Sequence, residues 1–363
     1  MDLQVTQENL NKALGNVARV ASGRNTLPIL SNVLVQTEGN RLKVSATNLD
    51  IAISQNVGTK IKTEGSLTVP ARLFQDFISN LPKTTITLVQ EDHKLHVSAD
   101  SYKSTINGTV TDEYPVMPAI QDGSTFTVAG SLLKKALQQV IFAASTDEAR
   151  PILTAVYVYT NEGKLYIAAT DSYRLAEKEV AGIDKEVSLL IPGSAMHDLL
   201  RIIGDGEDEV TVLHDDQQVR FSVGDIELIA RLIEGTYPDY RKLIPNDFAH
   251  KATVSKQELI TITKISGLFS RENAGSITIL TSEETKKLSV KSIASQVGEN
   301  EASAEGEIQG DGEITLNSRY LLEGLQALEG DRVTVSFNGK LDAVILASPD
   351  KKNYMHVIMP LKS

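Results

Sequence analysis

The chain of 363 residues contains no cysteine and no tryptophan. Without thiols there is no disulfide framework and no thiolate chemistry, which fits a reducing compartment, and a cytoplasmic location is expected. Aromatic residues make up 5% of the chain, so platforms for stacking single-stranded bases are not expected. No apolar run approaches the roughly 18 residues of a membrane span. The opening Met1-Asp2-Leu3-Gln4 lacks the basic and apolar regions of a signal peptide, so none is expected. Positive charge is in deficit: 36 Lys and Arg against 47 Asp and Glu give a net charge of −11. That balance argues against indiscriminate adhesion to nucleic acid or acidic membranes. Contact with DNA would need basic residues gathered on one face.

Catalytic patterns are also scarce. Neither G-x-x-x-x-G-K-[ST] nor G-x-G-x-x-G occurs. The six histidines are scattered. His93 and His96 form H-x-x-H, but the alternation around them reads as a strand or hairpin edge, with no third metal ligand nearby. Ser131 and Lys134 spell S-x-x-K without its companion motifs, and Ser131 falls where a helix cap belongs. The segment Gly204–Glu209 reads as a polar turn rather than a calcium loop. No catalytic residue, metal or cofactor is expected.

What the sequence does contain is a repeat. Residues 5–48 reappear at 128–171 without a gap, with 17 identities in 44 positions where composition gives roughly three by chance. Val5/Val128, Leu10/Leu133, Leu14/Leu137, Val17/Val140, Pro28/Pro151, Leu30/Leu153 and Thr47/Thr170 are among them. The repeat continues through Pro70 and Pro192 to Tyr114-Pro115 and Tyr237-Pro238. A weaker third copy aligns Val254 with Val5 and Leu288 with Leu42, and closes on Met359-Pro360. Three domains follow: 1–121, 122–246 and 247–363. Each doubles a unit in which one helix is followed by alternating strand-like runs. The predicted class is therefore α+β, with six helix-on-antiparallel-sheet units. Leu10, Leu14, Val17 and Ala21 mark one apolar helical face. Ser255 and Glu258 form a capping box. Lys12, Arg19, Arg72, Lys134, Lys135, Arg201, Lys256, Lys264 and Arg319 put basic residues on the predicted helices, among acidic ones such as Glu8, Asp198 and Glu323.

Four stretches carry a resemblance over the whole length: Gly23–Leu30, Ala169–Ala176, Tyr237–Arg241 with Ile244-Pro245, and Met359-Pro360-Leu361. On these the chain resembles the bacterial replicative sliding clamps, the β subunits of DNA polymerase III. The resemblance implies a head-to-tail homodimer ring around duplex DNA. It also implies a non-catalytic role, giving processivity to the DNA-directed polymerase and docking peptide motifs of polymerases, clamp loader and repair proteins. Three repeats with unlike ends suit such a heterologous, closing interface.

By the family's pattern, Arg24, Arg72, Asp147, Arg150, Pro151 and Ile152 fall at DNA-contacting positions. Asp147 is acidic there, and Pro151-Ile152 replaces an aromatic pair. A peptide pocket between the second and third domains would comprise Leu153, Thr170, Ser172, Tyr173, Arg174, Leu175, Pro238, Lys242, Leu243, Asn317, Tyr320, Leu341, Ala343, Val357, Ile358, Met359, Pro360 and Leu361. Ser172-Tyr173 stands for the more usual Gly-His, and Lys242 for Arg. At the dimer seam Ser104 and Ile106 would face Leu268 and Phe269. A repeat-built peptide scaffold without DNA, and an enzyme with an inter-domain site, are the alternative readings.

Overall fold

The apolar spacing of the first copy folds as its period dictates. Gln7–Val17 is a helix with Leu10, Ala13, Leu14 and Val17 buried, and Thr6 at its N-cap accepts from the amide of Asn9 at 3.4 Å. It ends at Val17, and the expected face passes Ala21 only through a tight turn at Val20–Ser22. Gly130–Val140 with the turn Ile141–Ala143 repeats this in the second copy. Ser131 is consequently inside that helix rather than at its cap. Pro70 closes a strand and forms the N-cap of helix Ala71–Asn80. Helices Gly193–Ile202, Lys256–Phe269 and Ser318–Ala327 complete the six that the repeat predicts. A seventh, Pro151–Thr154, is a single turn.

The computed structural model describes residues 1–22, 27–115, 119–206, 209–270, 274–294 and 298–361. The chain divides into two compact units, residues 1–131 with 194–232, and residues 132–193 with 233–363. In the first unit a five-stranded sheet has the order Lys60–Thr63, Asp2–Thr6, Thr85–Glu91, Lys94–Ala99, Tyr102–Asn107. An eight-stranded sheet runs Ser124–Ala129, Glu209–His214, Gln218–Val223, Ile226–Arg231, Ile51–Gly58, Arg41–Thr47, Asn32–Glu38, Ser66–Pro70. The second unit holds one twelve-stranded sheet: Ser188–Pro192, Ala155–Asn161, Lys164–Thr170, Arg174–Gly182, Tyr354–Ile358, Val344–Ala347, Arg332–Phe337, His250–Ser255, Gly298–Gln309, Lys287–Ala294, Ser276–Ser282, Gly312–Asn317.

The strand order explains why the units cut across the middle repeat. Ile226–Arg231 of the second copy pairs antiparallel with Ile51–Gly58 of the first. Tyr354–Ile358 of the third pairs antiparallel with Arg174–Gly182 of the second. Ile51 and Arg174 are equivalent in the repeat, and they oppose Ala230 and Ile358 respectively. The same joint is thus made twice. Each time, the last strand of one copy's second meander adds to the last strand of the preceding copy's first meander. Continuous hydrogen bonding then ties each half of the second copy to a different neighbour.

Candidate functional site

At the second joint the turn Thr170–Arg174 is fixed by its own side chains. The Thr170 hydroxyl donates to the Arg174 carbonyl at 2.6 Å and accepts from the Ser172 amide at 3.2 Å. Asp171 Oδ1 accepts from the amides of Tyr173 and Arg174 at 2.9 and 3.0 Å. Ser172 is held at φ 77°, the left-handed region that favours glycine. Thr47-Asn48-Leu49-Asp50-Ile51 builds the same turn in the first copy, with Leu49 at φ 80°.

Arg174 is buried below this turn. Its Nε donates to Asp171 at 3.1 Å, one terminal nitrogen donates to the Phe142 carbonyl at 2.7 Å, and the other meets Glu323. The guanidinium lies 4.6 Å from the Tyr320 ring centroid and 5.3 Å from that of Phe142. Burial lowers its pKa, and Asp171 opposes that shift. Tyr320 is set by Asn317, whose side chain caps helix Ser318–Ala327 by accepting from Arg319 and Tyr320 amides at 2.9 and 3.4 Å.

The chain's end lies beside this cluster. The Met359 amide donates to the Tyr173 carbonyl at 2.8 Å, and the Leu361 amide to Thr315 at 2.9 Å. Leu175, Ala343 and Val357 share one apolar cluster with Tyr237 and Tyr240. Four large apolar side chains stay in water: Leu243 is 73% exposed, Leu341 63%, Tyr173 61% and Met359 41%. Leu153 and Thr170 are buried, Pro238 and Lys242 are exposed, and Pro360 and Leu361 are half-buried. Lys242 pairs with Asp239 at 2.6 Å. Ile358 departs from expectation. It is fully buried on the strand face opposite Val357, so it lends the site only backbone. A cavity of about 600 Å³ over Tyr157, Thr160 and Val187 shares no residue with this set.

Sequence reasoning missed a second cluster. Glu177 is two residues from Leu175 on the same strand face. It accepts from Tyr159 at 2.6 Å, from Tyr240, and from Arg241 Nε and a terminal nitrogen at 3.2 and 3.0 Å. The Tyr157 and Tyr159 rings stack at 4.5 Å, Tyr159 and Tyr166 at 5.5 Å, and the Arg241 guanidinium lies 4.6 Å from Tyr166. Burial and Glu177 push the Tyr240 and Tyr159 hydroxyls far up. Burial opposes the Arg241 charge, but Glu177 outweighs it and the pKa is raised.

The expected DNA contacts fare unevenly. Arg24 lies outside the described residues. Arg72 is exposed on helix Ala71–Asn80. Asp147 is exposed, but its Oδ1 accepts from the Ala149 amide at 3.0 Å. Arg150 and Pro151 are exposed at the start of helix Pro151–Thr154. Ile152 departs from expectation, because its side chain packs on the tyrosine cluster. Several helix cations are already paired: Lys135 with Glu329 at 2.7 Å, Arg201 with Asp198 at 3.3 Å and Arg319 with Glu323 at 3.7 Å.

Of the described strands that lack a partner along one side, two stand where the joint would recur. Tyr102–Asn107 pairs only with Lys94–Ala99. Residues 298–305 pair only with Lys287–Ala294, since strand His250–Ser255 takes the other side from Gly306 onward. Ile106 departs from the seam expectation. Its side chain is buried in its own unit, so its strand offers backbone outward, with Ser104 half-buried. Leu268 is exposed and Phe269 half-buried at the end of helix Lys256–Phe269. Among the described residues no helix is long and apolar enough to cross a membrane, and no group of three acidic or histidine side chains could hold a metal ion. His96 hydrogen-bonds Thr105 at 3.0 Å and lies 3.4 Å from Glu91.

Residues 1–118, 127–239 and 241–362 match in turn the N-terminal, central and C-terminal domains of the DNA polymerase III beta subunit. The beta sliding clamp of Synechococcus elongatus is 31% identical over 372 residues, covering 100% of this chain and 99% of that one. That of Bacillus subtilis is 27% identical over 377 residues, covering all of both chains. Among solved structures, the DNA polymerase sliding clamp of Bacillus subtilis superposes with a TM-score of 0.95 at 25% identity, over 100% of this chain and 99% of that one. The Pseudomonas aeruginosa sliding clamp bound to griselimycin gives 0.94 at 25% identity over all of both chains.

Proposed function

The chain belongs to the DNA polymerase III beta subunit family, the beta sliding clamps, and from that membership we propose how its surfaces divide the work. It is a non-catalytic processivity factor. As a homodimer ring it encircles double-stranded DNA and holds the replicative polymerase and other proteins to it. Its three domains are 1–121, 122–246 and 247–363, and it works in the cytoplasm.

One observation carries the assembly. The joint made twice within the chain leaves one of its two strands unpartnered at each end of the series, at Tyr102–Asn107 and at residues 298–305. Strand addition from a second copy completes the same joint, and unlike edges meeting head to tail close with two chains. Lys103 stands on one edge, and Glu299, Glu301 and Glu305 on the other. Leu268 and Phe269 flank the seam.

The residues around the Thr170–Arg174 turn and Met359 form the docking cleft for short peptide motifs. Exposed Tyr173, Leu243, Leu341 and Met359 over buried Leu175 and Val357 suit one or two large apolar side chains, and Arg174 and Asn317 hold the walls. Met359 is soft enough to fit several partners. The Pseudomonas relative is bound to griselimycin, and in this reading the cleft is where this chain takes that ligand. Arg24, Arg72 and Arg150 meet DNA phosphates without reading sequence. Sedimentation tests the division of surfaces. The chain runs at twice its own mass, Leu268→Asp with Phe269→Ala runs as a monomer, and Leu175→Ala with Met359→Ala loses griselimycin while remaining a dimer. A monomeric native chain contradicts the seam, and unchanged griselimycin affinity contradicts the cleft.

A further inference from the structure

Segment Tyr237–Ile244 supplies three residues to the proposed cleft: Pro238, and Lys242 and Leu243 on the tight turn Tyr240–Leu243. Little in the backbone fixes that turn. Its hydrogen bonds, Tyr240 N to Pro238 O at 2.9 Å and Ile244 N to Arg241 O at 3.3 Å, are internal. Lys242 pairs with Asp239, at the start of the same turn. Tyr237 stacks on Tyr157 at 4.8 Å and so anchors the start of the segment, before the turn, while Ile244 adds apolar contact after it. The turn's own directional ties to the sheet are the Tyr240 hydroxyl and the Arg241 guanidinium; both reach Glu177, while the hydroxyl also lies 2.9 Å from that of Tyr159 and the guanidinium 4.6 Å from the Tyr166 ring. Burying a carboxylate is unfavourable unless donors surround it, and three side chains do so here. Apolar side chains at these positions could fill the space, but they would not select one orientation of the turn.

We propose that Glu177 is a positioning residue for ligand recognition: through Tyr240 and Arg241 it sets the angle of the wall bearing Lys242 and Leu243. This rests on the assignment of the cleft. A Gln at 177 keeps the volume but leaves Arg241 without its counter-charge, and the wall then samples several orientations. Ligand binding must select among them, which weakens apparent affinity.

The absence of cysteine allows one nitroxide label to be placed at Leu243→Cys for the mobility measurement. Affinity for griselimycin is measured on unlabelled chains. Glu177→Gln is expected to narrow the nitroxide spectrum and to raise the griselimycin Kd about tenfold through faster dissociation, with the dimer intact. Arg241→Gln, which alters a half-exposed group, is expected to act in the same direction and carries the test if Glu177→Gln fails to fold. A merely structural role would lower the melting temperature while leaving the label's mobility and the dissociation rate unchanged well below it. That result, or affinity within twofold of the native chain in both variants, overturns the proposal. Met359→Ala separates the two ideas. If it binds griselimycin normally the cleft assignment has failed, whereas if it loses binding while Glu177→Gln does not, only the positioning role has failed.

Discussion

Ser172 occupies a backbone position that favours glycine, and that geometry sets the cost of its side chain. At φ 77° a side chain is crowded by its own carbonyl, and the Thr170 and Asp171 hydrogen bonds hold the turn there regardless. Ser172→Gly is expected to raise stability by up to about 1 kcal/mol, and Ser172→Val to lower it by about 1–3 kcal/mol, read from urea midpoints. His356 makes a second prediction. Burial pushes its pKa down to about 3, so the folded chain keeps it neutral while the unfolded chain protonates near its ordinary value of about 6.5. The unfolded state therefore binds the extra proton between those values. The contribution is intact above about 6.5, and stability falls as pH drops toward about 3, by at most about 1.4 kcal/mol per pH unit for this group. Denaturant titrations from pH 7 to 5 should show a shallower slope for His356→Leu than for the native chain, whatever the variant's absolute stability. Equal slopes contradict the assignment.

At the scale of elements, one residue serves both fold and site. Asn317 caps helix Ser318–Ala327 and thereby presents Tyr320 to Arg174. Asn317→Ala should cost about 1 kcal/mol, and Asn317→Asp should retain most of it. Equal losses in the two variants would remove the cap from the explanation. The helices were legible because their period is local: Leu10, Leu14 and Val17 suffice to place a face. The Ser255 cap on the Glu258 amide was legible for the same reason, and it forms at 3.4 Å. Parity was harder to read. Val357 and Ile358 are adjacent, so they face opposite ways, and it is Val357 that joins the apolar cluster of Leu175 and Tyr237. Ile106 fell to the same alternation, with its side chain inward on an edge strand. Glu177 escaped altogether. Its partners Tyr159 and Tyr240 lie 18 and 63 residues away, and no spacing rule joins a mid-strand carboxylate to them.

For the whole molecule, the repeat at an offset of 123 residues predicted copies of one unit, and the strand order adds what becomes of them. The second and third copies each add a strand to the copy before, and the series ends on two open edges. That is unfavourable for an isolated chain, because open edges invite unplanned pairing, and it is resolved when a second chain closes the series. An acidic chain has little reason to grip DNA tightly, and topological linkage removes the need to. Retention on DNA tests this. Dimers assembled on duplex circles and washed at moderate salt should stay bound until the circle is cut once, and then slide off the ends. Equal loss from circular and linear DNA, or equal retention on both, would contradict encirclement.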